Sequence, residues 1–107
     1  MVILHVAIAK LDQSLLKEPR EEAFKNIHKM IADIPVPKHD VRVGAPINPS
    51  TTRGYDIMLS MKFETINDFK AYLAHPNHMK LLKRYGPPLL RDMISYQIDG
   101  TAPQSKL

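Results

Sequence analysis

Residues 53–65 read RGYDIMLSMKFET, and the fold is most legible there. A period of two puts Tyr55, Ile57, Leu59, Met61 and Phe63 on one side of an extended chain and Asp56, Met58, Ser60 and Lys62 on the other, the alternation of a strand with one face on a core. The polar run NPSTTRG (48–54) before it reads as a loop. At the far end Thr65 is a natural helix N-cap, with Asp68 three residues on as a variant of the capping box. A strand that passes directly into a capped helix is the unit from which the rest is read.

Upstream, VILHVAIA (2–9) is short, apolar and β-branched, as a strand covered on both faces should be. Val2, Leu4, Val6 and Ile8 share one face, and Ile3, His5, Ala7 and Ala9 the other. Small side chains beside one imidazole leave room for a cavity. Between the two strands lies a helix. Pro19 suits its first turn, and Glu18, Glu21 and Glu22 complement the positive end of the helix dipole. Ala23, Phe24, Ile27, Met30, Ile31 and Ile34 make its apolar stripe, until IPVP (34–37) stops it. His28, at the edge of the stripe, is expected to be a partly exposed helical histidine. KHDVRVGAPI (38–47) follows as a weaker strand, with Val41 and Val43 alternating and Pro46 ending it.

Downstream of Thr65, the spacing predicts a buried stripe of Ile66, Phe69 and Leu73, with Tyr72 beside it. Pro76 should break this helix at His75, with a restart at Pro76 or Asn77. The second segment is expected to end at Gly86, a C-terminal glycine backed by Pro87 and Pro88, with one more helical turn over PPLLRDM (87–93). MISYQID (93–99) is a last strand before the polar GTAPQSKL (100–107).

The order β, α, β, β, α (broken), β is the split βαβ pattern of the ferredoxin-like α+β class, a four-stranded antiparallel sheet with its helices on one face. At 107 residues the chain makes one domain, read as residues 1–99 with a tail of 100–107. The helix-free face carries Met58 and one side of strand one, so it is not simply wet. A second subunit's sheet would cover it and close a barrel across a two-fold axis, which makes a homodimer the expected assembly.

Composition excludes several classes. Without cysteine there is no disulfide, thiol nucleophile or thiolate metal site. Fifteen basic against eleven acidic residues favour anionic ligands. Only Lys80, Lys83 and Arg84 cluster, however, and no aromatics interleave with them, so nucleic acid is not an expected partner. The N-terminal apolar run stops at Lys10 and lacks a basic start, so neither a signal peptide nor a membrane span is read there.

The segments VILHVAIAK, RGYDIMLSMKFET, FKAYLAHPNHMKL and MISYQID together resemble the stress-responsive dimeric α/β-barrel (Dabb) family over residues 2–99. The resemblance implies a homodimer with a pocket between sheet and helices in each subunit. Members include plant heat-stable proteins and a plant polyketide cyclase that closes a poly-β-keto thioester by intramolecular aldol condensation, without metal or organic cofactor. Carried over by position, that cyclase's catalytic pair falls on Tyr72 and His78, and its strand-one pocket histidine on His5. Its strand-three histidine is replaced by Ile57, and two aromatics of its alkyl pocket by Leu81 and Leu89. The implied function is cofactor-independent acid–base chemistry next to a carbonyl, as a polyketide cyclase or related lyase or isomerase, on a small hydrophobic or polyketide-like ligand. The alternatives are a non-catalytic stress-response protein that binds hydrophobic small molecules and, more remotely, a cofactor-free monooxygenase.

The residues themselves bear on that expectation. Histidine titrates near neutrality, at about 6.5 when unperturbed, so His78 suits proton transfer. At a helix start the dipole favours its neutral form, the form a base needs. Tyr72 lies six residues earlier, where its hydroxyl could hydrogen-bond an enolate. Equally, either histidine could do no more than hold the broken helix, and His75, at the break, is read as a cap. Phe24, Ile57, Leu59, Met61 and Leu81 are the expected apolar walls, with His5 orienting the polar end. No metal is expected, because Pro76 disturbs the alignment of His75 and His78 and no carboxylate is near in sequence. The last three residues, Ser105, Lys106 and Leu107, spell a tripeptide read by the peroxisomal import receptor. Peroxisomal localisation is therefore expected, with the cytoplasm as the alternative.

Overall fold

The computed structural model describes residues 1–101; the tripeptide at 105–107 lies outside them. Seven main elements follow one another: β1 (Ile3–Ala9), α1 (Arg20–Ala32), β2 (His39–Gly44), β3 (Ile57–Phe63), α2 (Ile66–Ala74), α3 (Pro76–Leu89) and β4 (Met93–Asp99). Single 3-10 turns stand at Gln13–Leu15, Pro49–Thr51 and Leu90–Asp92. The strands form one sheet in the order β2-β3-β1-β4, every neighbouring pair antiparallel. This is the expected ferredoxin-like α+β arrangement.

The register sets the two faces. His5 pairs with Met61, Ala7 with Leu59 and Ala9 with Ile57 across β1 and β3. These residues, with Ile3 and Phe63, are all buried under the helices. α1 contributes Ala23, Ile27 and Ile31, one inward residue per turn. On the opposite face Met58, Ile94, Tyr96 and Ile98 are exposed, Tyr96 at 65%. Large apolar side chains on an uncovered sheet face mark an interaction surface rather than a wet one.

The break at His75 falls where Pro76 requires it. His75 ends α2 and caps α3, its Nδ1 accepting a hydrogen bond from the Asn77 N–H at 3.0 Å. Pro76 then occupies the first helical position, where its missing N–H costs nothing. Thr65 caps α2 through its side-chain oxygen, which accepts from the Asp68 N–H at 3.0 Å.

Three local expectations are corrected, and β2 adds an irregularity of its own. Pro19 is the N-cap of α1 and stands just outside its first turn. α3 does not end at Gly86; it runs through Pro87 and Pro88 to Leu89. The two prolines remove only the bonds that would reach the carbonyls of Lys83 and Arg84, both exposed to water. Meanwhile Pro88 is buried and its carbonyl accepts from the Asp12 N–H at 2.9 Å, which ties the helix end to the loop after β1. In α2 the buried pair is Phe69 and Tyr72, whereas Ile66 and Leu73 are 43% and 38% exposed. The helix is rotated so that its aromatics meet Phe63, whose ring centroid lies 5.5 Å from that of Phe69 and 5.2 Å from that of Tyr72. Finally, β2 carries an irregularity between His39 and Arg42, where Asp40 adopts φ 55°; an aspartate tolerates that left-handed geometry better than most residues.

Candidate functional site

Between the helix-covered face of the sheet and α3 lies a cavity of about 250 Å³. Its floor is His5 and Ala7 of β1 with Leu59 of β3, and its walls include Tyr72, His78, Leu81 and Tyr85. The cavity exists for the reason legible in β1. Ala7 is too short to fill the space under α3, so the imidazole next to it borders a void.

Its polar lining is His5, Tyr72, His78, Tyr85 and Ser95, and the rings of the first three lie close together. Tyr72 comes from the last turn of α2 and His78 from the first turn of α3, and the kink at His75 folds the two turns together. Their ring centroids are 4.8 Å apart and tilted by 58°. His5 stands 6.4 Å from the Tyr72 ring and 5.2 Å from that of Phe69. Each group is perturbed by its surroundings. Burial pushes the Tyr72 hydroxyl well above the usual phenol range, so it stays protonated and can donate. Burial lowers the pKa of His78, with the Leu73 carbonyl working against it. His5 is lowered to about 4, first by burial and then by the neighbouring His78. Both imidazoles are therefore neutral at pH 7.

His78 Nδ1 is buried and has no hydrogen-bond partner. A buried polar atom left unpaired costs on the order of 1–3 kcal/mol, so such atoms are rare and call for a reason. Here the orphaned nitrogen belongs to a neutral imidazole on a cavity wall, beside a phenol that burial keeps protonated. The arrangement sets a proton acceptor and a hydrogen-bond donor side by side on a mostly apolar pocket. Among the described residues no group of three or more His, Asp or Glu side chains is placed to hold a metal ion.

The structure brings His5, Leu59, Tyr72, His78 and Leu81 onto one cavity, together with Leu89. It does not place Phe24, Ile57 or Met61 on its walls. Phe24 sits one position past the inward Ala23 of α1, half-buried at the edge of the core beside Val43 of β2, with Arg20 over its ring at 5.3 Å. Met61 is fully buried within the sheet–helix core, and Ile57, the first residue of β3, borders a different hollow with Val43 and Tyr55. Ile27, read from sequence only as part of the apolar stripe of α1, and Tyr85, which the sequence reading did not single out, are also wall residues. Tyr85 could have been found at seven residues from His78 on the same helix face. It is buried, and its hydroxyl donates to Glu18 Oε1 at 2.7 Å. His28 is exposed and bonds the Val41 carbonyl at 3.1 Å, a plain surface role.

Residues 3–99 match the family model of the Stress responsive A/B Barrel Domain. The chain is 26% identical over 80 residues to olivetolic acid cyclase of Cannabis sativa, a match covering 74% of this chain and 78% of that one. Among solved structures it resembles a protein of Arabidopsis thaliana with a TM-score of 0.78 and 20% identity, over 96% of this chain and 99% of that one. A dimeric ferredoxin-like protein of unknown function from Thermobifida fusca gives 0.74 and 24% over 92% and 90%. Hydroxynitrile lyase from Passiflora edulis gives 0.70 and 15% over 95% and 97%. At these identities the structural likeness speaks for the fold.

Proposed function

The chain belongs to the stress-responsive A/B barrel (Dabb) family, and from that premise we propose a cofactor-independent enzyme of the cyclase or lyase kind, working by proton transfer next to a carbonyl. The observation that carries this reading is the unpartnered, buried Nδ1 of His78 beside Tyr72 on an apolar cavity. A relative named as a cyclase and a structural neighbour named as a lyase support the reaction class.

The favoured substrate is a poly-β-keto chain. His78 takes the proton from the carbon between two carbonyls, and the C–H electron pair moves to the carbonyl oxygen as an enolate. Tyr72 donates a hydrogen bond to that oxygen, where charge develops. The enolate carbon then attacks a more distant ketone of the same chain, and the imidazolium returns its proton to the new alkoxide. Leu59, Leu81 and Leu89 hold the hydrocarbon part and keep water out. His5 holds the polar end.

The apolar walls favour a second reading, a non-catalytic protein that binds small hydrophobic molecules. The two separate on His78→Ala and Tyr72→Phe, assayed with a β-keto thioester surrogate. General base catalysis is worth about a hundred- to ten-thousand-fold, so His78→Ala should lose turnover on that scale, or roughly 3–5 kcal/mol of barrier. Tyr72→Phe should lose less, with its fold unchanged. Normal turnover per folded molecule in His78→Ala, with a lowered melting temperature, would leave the histidine a structural fitting and discard the enzyme reading.

Two further assignments belong to the same proposal. The protein works as a homodimer joined through the helix-free sheet face, a reading supported by the exposed Met58, Ile94, Tyr96 and Ile98 and by structural neighbours described as dimeric. It is delivered to peroxisomes by Ser105–Leu107, a compartment that handles acyl thioesters.

A further inference from the structure

His5 and Gln97 face each other in register across β1 and β4, and Gln97 Nε2 lies 2.9 Å from His5 Nδ1. The same amide nitrogen donates to Ser95 Oγ at 3.0 Å, two residues earlier on the same face of β4. An amide nitrogen has two hydrogens and no acceptor capacity. With one hydrogen on the serine, the other is directed at His5. Gln97 itself is exposed.

We infer that Gln97, braced by Ser95, is a positioning residue that holds His5 as the tautomer protonated on Nε2, making His5 a fixed hydrogen-bond donor to the cavity. A neutral imidazole carries one N–H, and if Nδ1 accepts, Nε2 must bear the hydrogen. His5 is neutral at pH 7, because burial and the neighbouring His78 hold its pKa near 4. Its ring lines the cavity, and the Gln97 bond is the one hydrogen bond its ring makes among the described residues. The site therefore divides its labour. His5 Nε2–H and Tyr72 O–H are donors, suited to two carbonyl oxygens of one ligand, and the unpaired Nδ1 of His78 is an acceptor beside them. This makes a 1,3-dicarbonyl unit, with an acidic C–H between two acceptor oxygens, the class of group the polar end fits. The tautomer owes nothing to the reaction proposed above; only the use made of it rests on that reading.

The test is a two-bond ¹H–¹⁵N correlation spectrum of the full-length protein at pH 7, with His5 assigned through His5→Gln. In the wild type, His5 should show the Nε2–H pattern, with Nδ1 at the shift of an unprotonated nitrogen. Gln97→Glu offers only acceptor oxygens to the ring, so it should invert the pattern or yield the doubly protonated ring. Gln97→Leu should leave a mixture of tautomers. An Nδ1–H pattern in the wild type would overturn the assignment, as would a spectrum unchanged in both Gln97 variants. The spectrum reads the tautomer whether or not any substrate turns over. It can therefore fail while His78→Ala still abolishes activity, and the reverse.

Discussion

His5 makes the cost of this cavity measurable. Its pKa falls from an ordinary 6.5 to about 4 on folding, so between those values the unfolded chain binds a proton that the folded chain refuses. The contribution of His5 to stability is complete above about pH 6.5, falls as the pH drops towards 4, and levels off below it. At 1.36 kcal/mol per pH unit, the loss between pH 7 and pH 4 is on the order of 3 kcal/mol for this 6% exposed side chain. Urea titrations at both pH values should find wild type losing that much more than His5→Gln, whose side chain does not titrate. Equal losses would mean the imidazole is solvated in the fold. His78 is lowered in the same direction, so the acid limb of any activity profile should lie below the usual histidine range.

At the scale of the element, the join between α2 and α3 places the pair proposed to react, Tyr72 and His78. Pro76 forbids a continuous helix, and His75 supplies the cap that lets the second helix start at once. The two terminal turns consequently project Tyr72 and His78 to the same point. Replacing His75 with alanine removes a side-chain N-cap, a loss of about 1 kcal/mol in most settings. Thermal unfolding of His75→Ala should show that loss, and His75→Asp should recover most of it, because a carboxylate can accept the same N–H. If His75→Ala is as stable as wild type, the cap bond is not formed in solution. α3 also shows where local signals fall short. Gly86-Pro87-Pro88 reads as a stop, yet Gly86 and Pro88 are buried and the helix continues over them.

For the molecule as a whole, the sheet has one covered face and one that shows Met58, Ile94, Tyr96 and Ile98 to solvent. Covering it with a second copy removes apolar area that a 107-residue chain cannot otherwise bury. Light scattering at micromolar concentration should give twice the 12.2 kDa chain mass. Tyr96→Glu, which places a charge in the middle of that face, should shift the mass to that of one chain. A wild-type monomer would sink the dimer. Deleting residues 105–107 should move a tagged protein from peroxisomes to cytosol without changing its melting temperature, and unchanged localisation would remove the targeting role.

The sequence by itself determined the four strands, the order of the helices, the break at His75 and the small-residue face around His5. All of these are local: alternation, helical spacing, proline sterics and capping act within a few residues and need no partner. Only the tertiary structure decided which apolar residues line the cavity. Leu59 and Met61 share one face of β3, yet Leu59 borders the void and Met61 is packed shut, because what lies above each depends on where α3 crosses the sheet. Phe24 and Ile27 belong to one stripe in sequence, yet Ile27 is fully buried and reaches the cavity while Phe24 stays half-buried at the edge of the core beside Val43. The pairing of His5 with Gln97, 92 residues away, rests on strand register. Register is a relation between distant segments, and no local periodicity encodes it.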